Sequence, residues 1–312
     1  MLTRNLGRSG LRVSLVGLGC NNFGGRIDLD ATRKVVDAAI EHGITLFDTA
    51  DIYGNRGGSE TALGEVLGAR RKQIVLASKF GMNMDEEGIK KGGSRAYITD
   101  AVEASLKRLK TDWIDLYQIH RPDPLTPIDE TLRTLEDLIR QGKVRYIGCS
   151  NLPSWQVADA HWTAKTHGIE SFASCQDEYS LLVRGAEKEL IPAARHFGMG
   201  LLPYFPLANG LLTGKYKRNQ PMPEGARMTR EAQRAGEVLT EENWRKTEKL
   251  SAFCEKHGKT LVELAFSWLA AQPVVSSVIA GATRPEQIAA NVKAAEWKLS
   301  AEELAEIDKI TA

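Results

Sequence analysis

The chain has 312 residues, 42% of them hydrophobic, and its 41 Lys and Arg against 40 Asp and Glu leave a net charge of +1. That length suits one large α/β domain or two ordinary ones, and interspersed charges of near-zero sum argue against general attraction to nucleic acid or to a membrane surface. The four cysteines, Cys20, Cys149, Cys175 and Cys254, form no CxxC pair, so the expectation is a reduced, cytoplasmic protein with neither a zinc site nor a disulfide framework.

Residues 1–14 carry a Gly7–Gly10 turn between two short strand-like runs and are expected to form a hairpin. The N-terminal stretch lacks the long apolar core of a signal peptide, and no stretch is apolar enough to span a bilayer. Short apolar runs then alternate with amphipathic ones. Strands are expected at Leu15–Leu18, Ile44–Phe47, Ile74–Ala77, Ile114–Ile119, Val144–Cys149, Phe172–Cys175, Leu201–Tyr204 and Val275–Ala280. Many are apolar throughout, as befits strands covered on both faces in a parallel sheet.

The intervening segments read as helices, the first starting near Asp30. In Thr131–Gln141, Leu132, Leu135, Leu138 and Ile139 form a helical stripe, and Gly142 supplies a stop. Ile40 to Gly43 and His196 to Gly198 repeat one helix–Gly–strand junction, and Thr99 or Asp100 and Ser154 sit where helix caps are expected. A long polar insertion, residues 215–240, follows the seventh strand, and Ala301–Ile310 reads as one more amphipathic helix.

Eight strand–helix repeats predict a closed (β/α)₈ TIM barrel with an N-terminal hairpin and an extra C-terminal helix, one domain over residues 1–312. An open doubly wound sheet would want GxGxxG opening its first helix. The chain offers only Gly17-Leu18-Gly19, with the next glycine out of place.

Four polar residues close hydrophobic runs: Asp48 after ITLF, Tyr53 five residues on, Lys79 after IVLAS and His120 after IDLYQI. On a barrel, strand tips converge on one face. An acid, a phenol, an amine and an imidazole gathered there can move a proton onto or off a carbonyl oxygen. Taken singly, each has a plainer role as a turn former, a solvated cation or a packed core group.

The string FDTADIYG, Phe47 to Gly54, followed by SETALG at Ser59–Gly64, resembles the first signature of the aldo-keto reductases. SKFG at Ser78–Gly81, DLYQIHRPD at Asp115–Asp123, GCSN at Gly148–Asn151, GLLTGKY at Gly210–Tyr216 and IAGATRPEQIAAN at Ile279–Asn291 follow in family order, so the resemblance covers nearly the whole chain. It implies reduction of aldehydes or ketones by hydride from a nicotinamide, without a metal. Tyr53 would be the general acid, Lys79 the cation that lowers its pKa, Asp48 the group that orients Lys79, and His120 the hydrogen-bonding partner of the substrate oxygen.

The resemblance also implies a cofactor site. Ser150, Asn151 and Gln176 would bond the nicotinamide carboxamide and Tyr204 would stack on its ring. Pro206, Leu207, Ala208 and Gly210 would let the pyrophosphate approach the backbone. Gly281, Lys215, Arg227, Thr283 and Arg284 would receive phosphate, which favours NADPH/NADP+ over NADH. Gln287 and Asn291 would meet adenine, with Ala290 where relatives often carry an acid; Arg230 and Arg234 read as ordinary surface arginines. The insertion is expected to bury little apolar surface and to close over the cofactor, with Arg227 making the contact.

The substrate would be a small carbonyl compound, with Phe23, Tyr53, Phe80 and Met82 lining an apolar mouth and Lys90, Lys91 and Arg95 meeting any anionic group. Neither nucleic acid nor membrane is an expected partner, and no oligomeric state is implied. The alternative reading is a cofactor-binding regulatory subunit resembling the potassium-channel β-subunits. Those carry Asn in place of His120 and a regulatory N-terminal extension absent here.

Overall fold

The computed structural model describes residues 1–312, the side chain of Ala232 excepted. Eight strands run parallel in one sheet: β3 (Val16–Gly19), β4 (Leu46–Asp48), β5 (Val75–Phe80), β6 (Ile114–Ile119), β7 (Val144–Ser150), β8 (Ser174–Glu178), β9 (Gly200–Tyr204) and β10 (Val278–Gly281), in the order β10-β3-β4-β5-β6-β7-β8-β9. The sheet closes through Leu201, whose N–H donates to the Val274 carbonyl at 2.8 Å and whose carbonyl accepts from the Ser276 N–H at 2.9 Å. The fold is a (β/α)₈ barrel.

Helices connect the strands and flank the barrel. They are α1 (Leu29–Glu41), α2 (Tyr53–Leu67), α3 (Arg95–Leu109), α4 (Ile128–Arg140), α5 (Ser154–His167) and α6 (Leu190–Phe197), then α7 (Arg227–Arg230), α8 (Ala232–Val238), α9 (Glu241–Lys256), α10 (Leu261–Ala271), α11 (Pro285–Ala294) and α12 (Ala301–Thr311). On α4, Leu132, Leu135 and Leu138 are buried at helical spacing, so one face carries the packing. The expected cap of α3 moves: Ser94 accepts from the Tyr97 N–H, while Thr99 lies within the helix and its hydroxyl donates to the Arg95 carbonyl. Ser154 opens α5 after Pro153, and its hydroxyl is spent on Glu189 at 2.6 Å.

The hairpin of β1 (Thr3–Asn5) and β2 (Arg12–Ser14) plugs the barrel floor. Leu6 and Val13, both fully buried, join Leu46, Ala77, Leu116, Leu202 and Ile279 in a cluster inside the strands. Arg4 donates to the carbonyls of Ala270, Gln272 and Val275, satisfying groups that the end of α10 leaves unpaired. The turn needs Gly7: its φ is +57°, and a Cβ there would strike the Gly198 carbonyl oxygen. With the floor sealed, the open face is the one where the strands end.

The insertion after β9 departs from expectation. It buries Tyr216, Ala226, Met228 and Ala235 in the main core cluster, and the Met228 N–H donates to the Tyr216 hydroxyl at 3.2 Å. Apolar residues spaced among charged ones gave no periodic signal until α7 and α8 turned them inward.

Candidate active site

Three strand ends and the start of one helix place the reactive side chains. Asp48 is the last residue of β4, Lys79 stands one residue from the end of β5, and His120 follows β6 directly. Tyr53 begins α2, held by an unusual turn. Residues Gly54, Asn55, Arg56 and Gly57 all have positive φ, from 60° to 112°. Two of these are not glycine, and such backbone costs about 1–3 kcal/mol per residue unless the surroundings enforce it. A Cβ on Gly54 would sit 2.5 Å from the Phe23 carbonyl oxygen and 2.6 Å from the Ser59 nitrogen. The turn therefore fixes where the phenol points.

Lys79 is wholly buried and its ammonium donates to Asp48 Oδ2 at 2.7 Å and to the Thr49 carbonyl at 3.0 Å. The other carboxylate oxygen, Oδ1, accepts from Gln176 at 2.9 Å and Gln118 at 3.3 Å. Gln118 escaped the sequence reading. Its signal was a lone amide inside the apolar run IDLYQI, pointing into the barrel where only a polar partner could satisfy it. The Lys79 ammonium also lies 5.1 Å from the centre of the Tyr53 ring, and the His120 ring meets Tyr53 edge-on at 5.7 Å.

Burial pulls the Lys79 pKa down, but Asp48 and Tyr53 more than offset it, so the amine stays charged. The phenol does not behave as expected. Burial raises the Tyr53 pKa and outweighs the lowering by Lys79, and Asp48 adds to the rise. The cation that should acidify the phenol is itself neutralised by its carboxylate. Burial, then Lys79 and Arg121, push His120 down to about 2, so the imidazole is neutral. Its Nδ1 is buried with no hydrogen-bond partner.

A cavity of about 390 Å³ runs from Tyr53 and His120 across the strand ends to Lys215 and Thr283. Ser150, Asn151, Gln176 and Tyr204 line its middle, and Pro206, Leu207 and Gly210 its wall. Lys215, Arg227, Gly281, Thr283 and Gln287 line the far end. Three residues fall elsewhere. Ala208 is buried beneath the wall, Arg284 is exposed at the N-cap of α11, and Asn291 is buried within α11. Several amides are already engaged. Asn151 donates to the His120 carbonyl and the Ser150 hydroxyl and accepts from the Tyr204 hydroxyl at 2.8 Å. Gln287 accepts from the Thr283 N–H at 2.7 Å.

The far end fits a polyanion. Burial, then Arg26 and Arg227, lower the Lys215 pKa, and burial, then Arg230 and Arg227, lower that of Arg26. Like charges held together in this way are unfavourable until an anion arrives. Gly281 opens the approach, since a Cβ there would stand 3.0 Å from Asn22 Nδ2 and 3.2 Å from Asn21 Oδ1.

The sequence reading missed Asn21, Asn22 and Arg26, a polar run directly after β3, and Arg121 and Phe205. It also set Arg234 aside as surface; the guanidinium instead lines the cavity, 5.0 Å from the Phe205 ring and 3.4 Å from Asn209. The expected mouth is not formed as drawn. Phe23 and Phe80 are fully buried in the core, and neither Met82, Lys90, Lys91 nor Arg95 reaches the cavity; Arg95 pairs with Asp137. Among the described residues no cluster of three or more His, Cys, Asp or Glu could hold a metal, and no helix is long and apolar enough to cross a membrane.

A model of the aldo/keto reductase family matches residues 15–312. Similar proteins include the uncharacterized oxidoreductase YrpG of Bacillus subtilis (strain 168), 39% identical over 98% of this chain and 94% of the relative. The putative voltage-gated potassium channel subunit beta of Schizosaccharomyces pombe is 38% identical over 98% of this chain and 92% of its own length. The probable voltage-gated potassium channel subunit beta of Arabidopsis thaliana is 36% identical over 94% and 91%.

Proposed function

The chain belongs to the aldo/keto reductase family, whose members generally use nicotinamide cofactors, and from that premise we propose that it reduces aldehydes or ketones to alcohols with NADPH in the cytoplasm. The observation that carries this is the contact of Lys79 with Asp48 at 2.7 Å beside the Tyr53 phenol, at one end of a cavity that Asp48, Tyr53 and the neutral His120 line.

Bound NADPH would supply the hydride to the carbonyl carbon. Tyr53 protonates the carbonyl oxygen as negative charge grows there. Its raised pKa keeps the proton in place at neutral pH, and the phenolate it leaves behind sits against Lys79. Asp48 keeps Lys79 charged and aimed. His120, being neutral, offers a ring N–H to the same oxygen without contributing a competing charge.

Cofactor binding uses the rest of the cleft. Tyr204 offers an aromatic face for the nicotinamide ring. The Asn151 side chain is engaged at both ends, so the Ser150 hydroxyl, which accepts from Asn151 and keeps its own proton, and the Gln176 amide, which gives one N–H to Asp48, are left for the carboxamide. Lys215, Arg26 and Arg227 would receive the phosphates, the 2′-phosphate included. Four free, buried cysteines accord with a reducing compartment.

A second reading, a cofactor-binding partner subunit with little turnover, draws on the names of two relatives. The neutral His120 beside Tyr53 favours the enzyme. The test is NADPH oxidation with a panel of aldehydes and ketones, on wild type and Tyr53→Phe. The reductase reading expects turnover that falls roughly 10²–10⁴-fold in the variant while NADPH still binds. Absence of turnover in wild type with NADPH bound favours the partner subunit.

A further inference from the structure

The cations around the cavity are accounted for with one exception at the reactive end. Lys79 is held by Asp48. Arg227 and Arg234 face Glu231 at 4.0 and 3.7 Å. Lys215 and Arg26 stand with Thr283 and Gly281 at the phosphate end. Arg121 is different. It follows His120 in sequence and lines the cavity next to it. Among the described residues no carboxylate comes within 4.0 Å of its guanidinium.

Its charge is nonetheless felt by the reactive groups. It helps push His120 down and also bears on Tyr204 and Asp177. Asp177 feels its charge, but that carboxylate is already accepting the Glu178 N–H at 2.7 Å, and burial favours its neutral form. A planar guanidinium without a counter-ion, next to the group that receives the carbonyl oxygen, is built to take a carboxylate or phosphate. The plainer alternative is a solvated arginine at the rim. Arg121 is exposed, but it lines the same cavity as His120 and Tyr53, and that placement sets it apart from an arginine on the open surface.

We propose that Arg121 is a specificity-determining residue that binds an anionic group, carboxylate or phosphate, carried by the carbonyl substrate. The proposal rests on the reductase reading above for its kinetic arm but not for its binding arm. It also replaces the expectation that Lys90, Lys91 and Arg95 meet such a group, since none of them lines the cavity.

The kinetic experiment compares 4-carboxybenzaldehyde with its neutral methyl ester, whose ring electronics are similar, and glyceraldehyde 3-phosphate with glyceraldehyde. Wild type should prefer the anion of each pair by about tenfold in kcat/KM, the size of one charge-assisted hydrogen bond. In Arg121→Gln that ratio should fall towards one, chiefly through a higher KM for the anion, and Arg121→Lys should recover part of it. Preference in only one pair identifies the anion as carboxylate or phosphate.

The binding arm titrates the NADP+-saturated protein with benzoate and with inorganic phosphate, followed by intrinsic fluorescence. At least one anion should bind to wild type about tenfold more tightly than to Arg121→Gln. Equal reduction of acid and ester, sugar and sugar phosphate, overturns the proposal and leaves the reductase reading intact. Arg121-dependent anion binding with no turnover of any carbonyl upholds the anion site and overturns the reductase reading instead.

Discussion

At the reactive end of the cleft, the charge beside the Tyr53 phenol is paired and dry. Lys79 and Asp48 are buried together at 2.7 Å, and both carboxylate oxygens are bonded. At the phosphate end, burial and then neighbouring cations lower the pKa values of Arg26, Lys215 and Arg227: Arg230 and Arg227 act on Arg26, Arg26 and Arg227 on Lys215, and Arg234 and Arg230 on Arg227. One end is organised before any ligand arrives, because proton transfer needs fixed geometry. The other stores unfavourable like-charge repulsion that an anion relieves. The two ends should therefore fail differently when mutated.

The largest effect is expected at the paired end. Lys79→Met leaves Asp48 buried without its cation, so stability should drop by about 3–5 kcal/mol and turnover by roughly 10²–10⁴-fold. Adding Asp48→Asn should return much of the stability, seen by urea unfolding, and none of the turnover. Full-rate turnover in the single variant would show that the pair is only structural.

Next in size is an exception to pairing at that same end. Asp51, 1% exposed, accepts from the Tyr97 hydroxyl at 3.2 Å, while its Oδ1 has no partner. Burial, then the Glu60 charge, raise its pKa to about 7. A raised carboxyl pKa means that the fold favours the protonated form. Its contribution is fully present below about pH 4 and is lost as pH rises to about 7. Asp51→Asn has no such loss, so its stability relative to wild type should grow across that window by up to a few kcal/mol. A constant difference from pH 4 to 8 would mean that water reaches Asp51. His120 runs the other way: its depressed pKa costs stability only as pH falls below about 6.5. The pH profile of carbonyl reduction should therefore show no histidine inflection between pH 5 and 8.

At the phosphate end, Lys215→Ala should weaken NADPH binding by about 10-fold, the scale of one charge-assisted contact, and NADH binding less. Fluorescence titration at two salt concentrations reads both, since exposed charge is screened by salt. Equal losses for the two cofactors would assign Lys215 to the pyrophosphate. Arg284→Ala should do less than Lys215→Ala, because Arg284 lies outside the cavity.

The smallest effect is expected in the insertion. NADPH should slow hydrogen exchange around Lys215–Arg230, least at Met228, whose N–H is already bonded to Tyr216. Unchanged exchange with cofactor bound would make the insertion a static wall.

Sequence and structure diverge in a consistent direction along the strands. Ile114–Ile119 is the same in both, yet β8 lies at Ser174–Glu178, beyond the run Phe172–Cys175, and β4 and β7 extend onto Asp48 and Ser150. Apolar runs mark the parts of strands packed on both sides. Asp48, Ser150 and Glu178, which finish β4, β7 and β8, line the cavity, so in those strands hydrophobicity stops before the strand does.

By itself the sequence determined the eightfold alternation and the order of the family strings, hence the barrel and the positions of Asp48, Tyr53, Lys79 and His120 at strand ends. Those are local properties: periodicity, turn chemistry and short motifs survive reading one residue after another. Only the tertiary structure decided that Gln118 and Gln176 share Asp48, that Arg234 enters the cavity while Arg284 stays outside, that burial outweighs Lys79 at the Tyr53 phenol, and that Arg121 stands without a counter-ion. Each of these depends on distance, burial and summed charge between segments far apart in the chain, and those quantities come into being only when the barrel closes.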